Sequence, residues 1–258
     1  MVERLVYKYL SRERVDVLEN TLIRFTQAFA LNDPFESRPN LLEMRRYFEE
    51  RGEIYSRAFG LDVFEATKTA ILAKNRIKKK FEQWQIEQDN SYVFLSLTRN
   101  RNNLLMWSHY CQSHCGFVIG FDGNHPFFNT QKFKEFSTLQ EVKYNNKRPI
   151  VRPSEEHWSE LADIFLFTKS THRAYEEELR IVANPQVAKK VAVGNDGHNI
   201  YLFDSPMEIV KEVVLGHRMV ASDQHRIANL LDNRYPAAIL YQAELNQAEF
   251  DLNIAPVH

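Results

Sequence analysis

Two groups of side chains in this 258-residue sequence could do chemistry. Glu176 and Glu178 stand two residues apart, with Lys169 and Arg173 before them and Arg180 after. If residues 175–182 form a strand, Glu176, Glu178, Arg180 and Val182 share one face and Tyr175, Glu177, Leu179 and Ile181 the other. Paired carboxylates beside cations can hold a ribose hydroxyl and stabilise a developing oxocarbenium ion, or they can be the salt-bridged edge of a sheet. The second group is Trp107, Ser108, His109 and Tyr110, set between apolar runs of strand length at 92–98 and 116–122. One helical turn cannot bury all four, so His109 and Tyr110 need partners or a pocket. Ser96 and Thr98 close the first of those runs, and Lys8 or Arg24 could bring a cation from the first two strands.

Several chemistries are excluded. His109, Cys111, His114 and Cys115 are zinc-ligand types. On a helix, however, His109 and His114 point roughly 140° apart, and paired-ligand spacing is missing. No metal site is therefore expected. No glycine-rich nucleotide fingerprint, phosphate loop or Ser-His-Asp order is present. Gly216-His217-Arg218, at a strand-to-helix junction, reads either as a plain turn or as an anion site at a helix N-terminus.

The elements that must position these residues follow from periodicity. Strands are expected at 5–10, 22–27, 92–98, 116–122, 141–144, 175–182, 200–203, 208–215 and 238–243. The run Gly116 to Asp122 lacks alternation, which places it centrally in the sheet. Short helices are expected at 12–20 and 104–114, one from 154 to about 170, and one at 223–234 capped by Ser222. Asn32-Asp33-Pro34-Phe35-Glu36 is a specified turn, because Pro34 keeps Asp33 out of the helical region. Val63, Ala70, Ile77 and Trp84 recur every seven residues, which predicts a helical insertion at 40–89. The expected fold is α+β, with a central mixed β-sheet flanked by helices. No Gly/Ser-rich linker divides the chain, so residues 1–258 read as a single domain with that insertion.

Composition bounds the partners. Thirty-three basic residues against 34 acidic ones give no general attraction to nucleic acid or an anionic surface. The run Lys74 to Lys80 leaves nucleic-acid contact open, although the solvated face of an amphipathic helix accounts for it. Two cysteines make no disulfide framework, and no apolar h-region or membrane-length window occurs. A soluble cytoplasmic protein without membrane contact is the expectation.

The combination of Tyr7-Lys8-Tyr9, Asn32 to Glu36, Phe94 to Thr98, Met106 to Tyr110, Gly116 to Phe121, Tyr175 to Arg180 and Val214 to Gly216 resembles the bacterial family named domain of unknown function 2971. The family carries no settled activity, and its members look like accessory or defence-associated proteins. A second resemblance concerns mechanism. An early cation, then Ser96-x-Thr98, then Glu176-x-Glu178 is similar in order to the arginine, Ser-Thr-Ser and Glu-x-Glu pattern of ADP-ribosyltransferases. That implies NAD as co-substrate and a toxin or phage-defence effector acting on a macromolecular acceptor. Lys8 or Arg24 would hold the diphosphate or ribose, Ser96 and Thr98 the nicotinamide pocket, with His109 and Tyr110 at one side of the cleft. Glu178 would stabilise the ribosyl cation while Glu176 activates the acceptor. Lys8 departs from the usual arginine and Thr98 from the usual serine. The competing expectation is a non-catalytic ligand-sensing or protein-interaction module in which Glu176, Glu178 and Arg180 form a structural charge network.

Overall fold

Alternation at the start of the chain becomes strand β1, Leu5–Leu10, whose two faces feed two separate cores. A computed structural model describes residues 4–40, 91–128, 138–150, 166–194 and 197–257, with Ile164 and scattered positions between 42 and 90. The expected helical insertion therefore lies almost wholly outside the described residues, as do residues 154–163 of the expected helix after Ser154. After β1 come a 3-10 turn, Arg12–Val15, and helix α1, Asp16–Asn20. The next elements are β2 (Leu22–Gln27), β3 (Val93–Thr98), α2 (Leu104–Tyr110), β4 (Phe117–Asp122), β5 (Gln140–Glu141), β6 (Lys143–Asn145) and β7 (Thr168–Ser170). The chain continues through β8 (Glu178–Ala183), β9 (Lys190–Val193), β10 (Asn199–Asp204), β11 (Val210–Leu215), α3 (Ala221–Arg234), β12 (Ile239–Leu245) and β13 (Leu252–Pro256).

Two compact units emerge. The first comprises Met1–Thr26, Val93–Val142 and His172–His258, and the second Gln27–Tyr92 and Lys143–Thr171. Among the described residues the first unit carries an eleven-stranded mixed sheet in the order β13-β12-β11-β4-β1-β3-β2-β10-β9, with β8 branching from β3 and β5 from β8. β11 and β12 run parallel, as the helix between them requires, while β4 runs antiparallel to both β1 and β11. Its unbroken apolar run fits this interior place. Val6, Leu10, Phe25, Leu97, Ile119, Phe121, Ile181 and Val213 build the larger core, into which α3 sends Ile227 and Leu231. Tyr7, Tyr9, Met106, Trp107, Val118 and Val214 build a smaller core on the opposite face. Burying each such large side chain contributes about 1.5–3 kcal/mol.

In the second unit β6 and β7 pair in parallel. The Asn32 to Glu36 stretch is the turn its residues specify: Asp33 accepts the Phe35 N–H at 2.9 Å, and its carbonyl accepts the Glu36 N–H. Glu36 then meets Lys169 of β7 in a buried ion pair of 2.7 Å.

Other boundaries moved for identifiable reasons. The expected strand from 175 begins only at Glu178, since Thr171–Glu176 is 3-10 and Glu177 takes a left-handed φ of 42°. The last helix starts at Ala221 behind Val220, with no side-chain cap, so Ser222 is already inside it. β7 replaces the end of the expected helix before residue 170, and β13, whose five residues end in Pro256, was not among the expected strands.

Between β4 and α2 the chain makes three successive left-handed residues, Gln112, Ser113 and His114 (φ 47°, 53° and 70°). This turn is pinned by backbone bonds from Gly116 N–H to the Cys111 carbonyl and from Arg218 N–H to the His114 carbonyl. A Cβ on Gly216 would fall 2.2 Å from the His114 oxygen and 2.5 Å from that of Gly116. Both obstacles are backbone, so Gly216→Ala should destabilise the fold by about 1–3 kcal/mol or more, read as a lower urea midpoint.

Candidate functional site

Strand register lays a row of side chains across the face that carries Tyr7. Glu178 of β8 is opposite Thr98 of β3, Thr98 opposite Tyr7 of β1, Tyr7 opposite Gly120 of β4, and Gly120 opposite Glu212 of β11. The row thus ends in a carboxylate on each side. Gly120 is required there, since a Cβ would meet Glu212 Cγ at 2.5 Å and Tyr7 Cε1 at 3.0 Å. Burial, helped by the Glu212 carboxylate, pushes the Tyr7 hydroxyl up to about 12, so it stays protonated.

The loop after β3 covers this face by satisfying its own polar groups. Thr98 Oγ1 accepts the Asn100 N–H, and Asn100 Oδ1 accepts that of Asn102. Tyr9 donates its hydroxyl to the Asn100 carbonyl at 2.9 Å and accepts the Asn103 N–H at 3.2 Å. Asn103 is the N-cap of α2, its Oδ1 accepting from Leu105 and Met106, while its amide donates to the Tyr175 carbonyl at 2.7 Å. Trp107, fully buried, donates Nε1 to the Arg101 carbonyl and packs edge-on against Tyr9. Arg101 in turn donates to Glu212 at 2.7 Å and lies over the Tyr241 ring.

α2 therefore arrives with His109 and Tyr110 aimed at the turn before β8. Tyr110 donates its hydroxyl to Glu176 at 2.7 Å, and Arg173 donates to the same oxygen at 3.3 Å and to the Tyr175 hydroxyl at 3.0 Å. His109 Nδ1 lies 3.1 Å from that hydroxyl. A hydrogen-bonded chain thus runs from an exposed imidazole through Tyr175 and Arg173 to Glu176, which is only 3 % exposed. The His109 ring stands edge-on to both Tyr110 and Tyr175.

The two glutamates of the motif part company. Glu176 sits in the 3-10 turn, whereas Glu178 opens β8 and is bound by Arg180 through Nε and Nη2, both at 2.7 Å. Arg180 is wholly buried against the Phe94 ring. Lys8 shares the face of Val6 and Leu10, opposite to that of Glu178, and its ammonium donates to the Ser96 carbonyl at 2.8 Å. Arg24 is on β2 across from Leu202 of β10. Ser96 pairs in register with Arg180, and Thr98 with Glu178. His109 and Tyr110 thus join Glu176, while Lys8 stands apart from both carboxylates. Reasoning from sequence missed Tyr7, Tyr9, Arg101, Asn103 and Glu212. Asn103 just before an apolar helical run was a legible capping signal, but nothing local marks Glu212, whose partners are more than 90 residues away in sequence. Among the described residues no three His, Cys, Asp or Glu side chains group as metal ligands.

Residues 106–181 match the family model DUF2971, protein of unknown function. No curated protein and no solved structure matches the chain. The DUF2971 segment holds the whole chain of bonds from His109 to Glu176 as well as the Glu178–Arg180 pair, and Tyr9, Arg101 and Glu212 support it from outside.

Removing one partner of a buried ion pair leaves the other charge uncompensated at a cost of about 3–5 kcal/mol, whereas replacing both by apolar residues costs little. Glu178→Gln should accordingly lower the unfolding free energy far more than the double change Glu178→Leu with Arg180→Met, as measured by urea denaturation. His114, stacked on Trp107, is held below its ordinary value of 6.5 by burial and by the charges of His217 and Arg218. The unfolded chain therefore takes up that proton first as pH falls, and the stability present above the unfolded value is lost on descending toward the folded one. The melting temperature should fall as the pH drops below about 6.5, and less steeply in His114→Gln.

Proposed function

We propose that DUF2971 residues 109–176 form a binding site for a small nucleotide-like ligand, and that Glu178 is structural. The observation that carries this reading is the continuous bonding of His109, Tyr175, Arg173, Glu176 and Tyr110, which fixes an arginine and three aromatic rings at the rim above a buried carboxylate. A guanidinium held from behind by a carboxylate and a phenol is oriented before it meets an anion, so less freedom is lost on binding. It offers a planar fork of donors suited to phosphate. His109, Tyr110 and Tyr175 offer ring faces and edges on which an aromatic base can pack. NAD, with a diphosphate, riboses and two aromatic rings, is the first ligand to test.

An NAD-consuming reaction is the second reading; Glu176 and Glu178 are both buried beside an arginine, and Glu176 is favoured because Arg173 stays a quarter exposed while Arg180 is sealed. In that reaction the ribose–nicotinamide bond breaks, its electron pair leaves with nicotinamide, the Glu176 carboxylate stabilises the ribosyl cation, and an acceptor oxygen or nitrogen attacks and releases its proton.

A ligand that binds only the folded state raises the melting temperature by mass action, about 2.7 kcal/mol of added stability at a hundredfold excess over Kd. NAD should raise the melting temperature of the wild type and not of Arg173→Ala, while Glu178→Gln starts lower yet still shifts. Absence of a shift at millimolar NAD would sink the NAD assignment. Release of nicotinamide that survives in Glu178→Gln and is lost in Glu176→Gln would assign the reaction.

A further inference from the structure

Two tight turns meet beside the register pair Phe117 and Leu215, where β4 begins and β11 ends. Gly216 donates its N–H to the Gly116 carbonyl at 2.9 Å and accepts the Met219 N–H at 3.0 Å, which makes His217 and Arg218 the central residues of a four-residue turn. The Arg218 N–H reaches the His114 carbonyl at 3.0 Å, so this turn is bonded to the one before β4. The side chains of His217 and Arg218 are exposed, and His114 is half-buried.

Three side chains able to carry positive charge are thus gathered at one place. Among the described residues no carboxylate pairs with any of them. Burial, and then the charges of His217 and Arg218, hold His114 below its ordinary value, so the three sense one another. Like charges that the backbone keeps together repel until an anion joins them. His114 is held in place by the left-handed run Gln112, Ser113 and His114, a conformation that non-glycine residues keep only where their surroundings force it. Its ring lies parallel to the Trp107 indole, with Nδ1 buried and without a partner. A buried N–H without an acceptor is rarer than a bare lone pair, so the neutral ring carries its proton on Nε2 and offers a donor outward even when uncharged.

The helix that follows does not supply the attraction, since its first turn carries Asp223. Nor does the chain as a whole, with 33 basic residues against 34 acidic ones. A local group of three suits one compact anion, whereas a polyanion binds through many such contacts.

We propose that His114, His217 and Arg218 bind the phosphate group of a small molecule, at a site that does not use Arg173. Arg218 meets two phosphate oxygens with its planar fork, and each imidazole donates one N–H. The bonds between the two turns fix these donors before the ligand arrives, so little freedom is lost on binding.

A titration with inorganic phosphate at constant pH and ionic strength tests this, read by NMR from the ring signals of His114 and His217. Those signals are assigned by their absence in His114→Gln and His217→Gln. Both should move and saturate, with a Kd of about 1 mM or tighter. Arg218→Ala should weaken binding about tenfold or more, the order expected of a lost hydrogen bond to a charged group. It should fold normally, because the side chain is exposed and the bond to His114 comes from the backbone N–H. Arg173→Ala should bind phosphate as the wild type does, which keeps this outcome apart from that of the NAD experiment. Methyl phosphate separates the sources: binding at least as tight as that of inorganic phosphate assigns the site to an ester and weaker binding to free phosphate, and both uphold it. Signals that stay still or move without saturating overturn the proposal. So does a response that survives Arg218→Ala unchanged or is lost in Arg173→Ala.

Discussion

The hydroxyl of Tyr9 is the point on which the candidate site depends. It binds the backbone of the loop at two places, donating to the Asn100 carbonyl and accepting from Asn103. Asn103 then caps α2 with one side-chain atom and holds the Tyr175 carbonyl with another. Strand, helix and turn therefore meet through one phenol and one carboxamide. With seven residues α2 is too short to persist unaided, and it stands because its first turn is capped and its indole is buried. The direction of His109 and Tyr110 follows from that anchoring.

One face of the sheet and the turn before β8 bury several charges. Glu176, Glu178 and Glu212 each have an arginine at hydrogen-bond distance, and each is close to fully covered. Ion pairs of this kind add little net stability, because desolvation offsets the attraction. Their effect is to reject alternatives: a register slip of one residue would send Glu178, Arg180 and Glu212 into the apolar core and bring Leu179 and Val213 out. The three pairs differ in what else they hold. Arg180 is sealed beneath Phe94, Arg101 reaches back to a loop and a ring, and Arg173 stays a quarter exposed beside two hydroxyls.

Much of the sheet was legible because its strands carry their own alternation. β1, β2, β3 and β4 appear within a residue of where Leu5 to Leu10, Leu22 to Gln27, Tyr92 to Thr98 and Gly116 to Asp122 announce them. The site was harder to read. His109, Tyr110 and Glu176 could be singled out as polar side chains wedged between core strands, yet pairing Glu176 with Glu178 on one strand face required Glu177 to be extended. Its left-handed backbone instead turns the two carboxylates toward different partners. Lys8 was misleading for a related reason, since an alternating strand shows which residues share a face and not which face meets which neighbour. Glu212 left no local trace at all, because its meaning comes from Gly120 and Arg101, which only the folded sheet brings to it.

The strand order also carries a temporal consequence for a chain made from its N-terminus. β1 forms its ladder with β4, more than a hundred residues later, and β4 in turn needs β11, completed only at Leu215. The middle of the sheet is thus stitched from segments far apart in sequence, an arrangement that slows folding because long loops must close before any contact rewards them. During synthesis β1 finds its partners by Asp122, but the outer edge of β4 waits until Val210–Leu215 has been made. This interval is when the nascent chain most needs shielding from its neighbours.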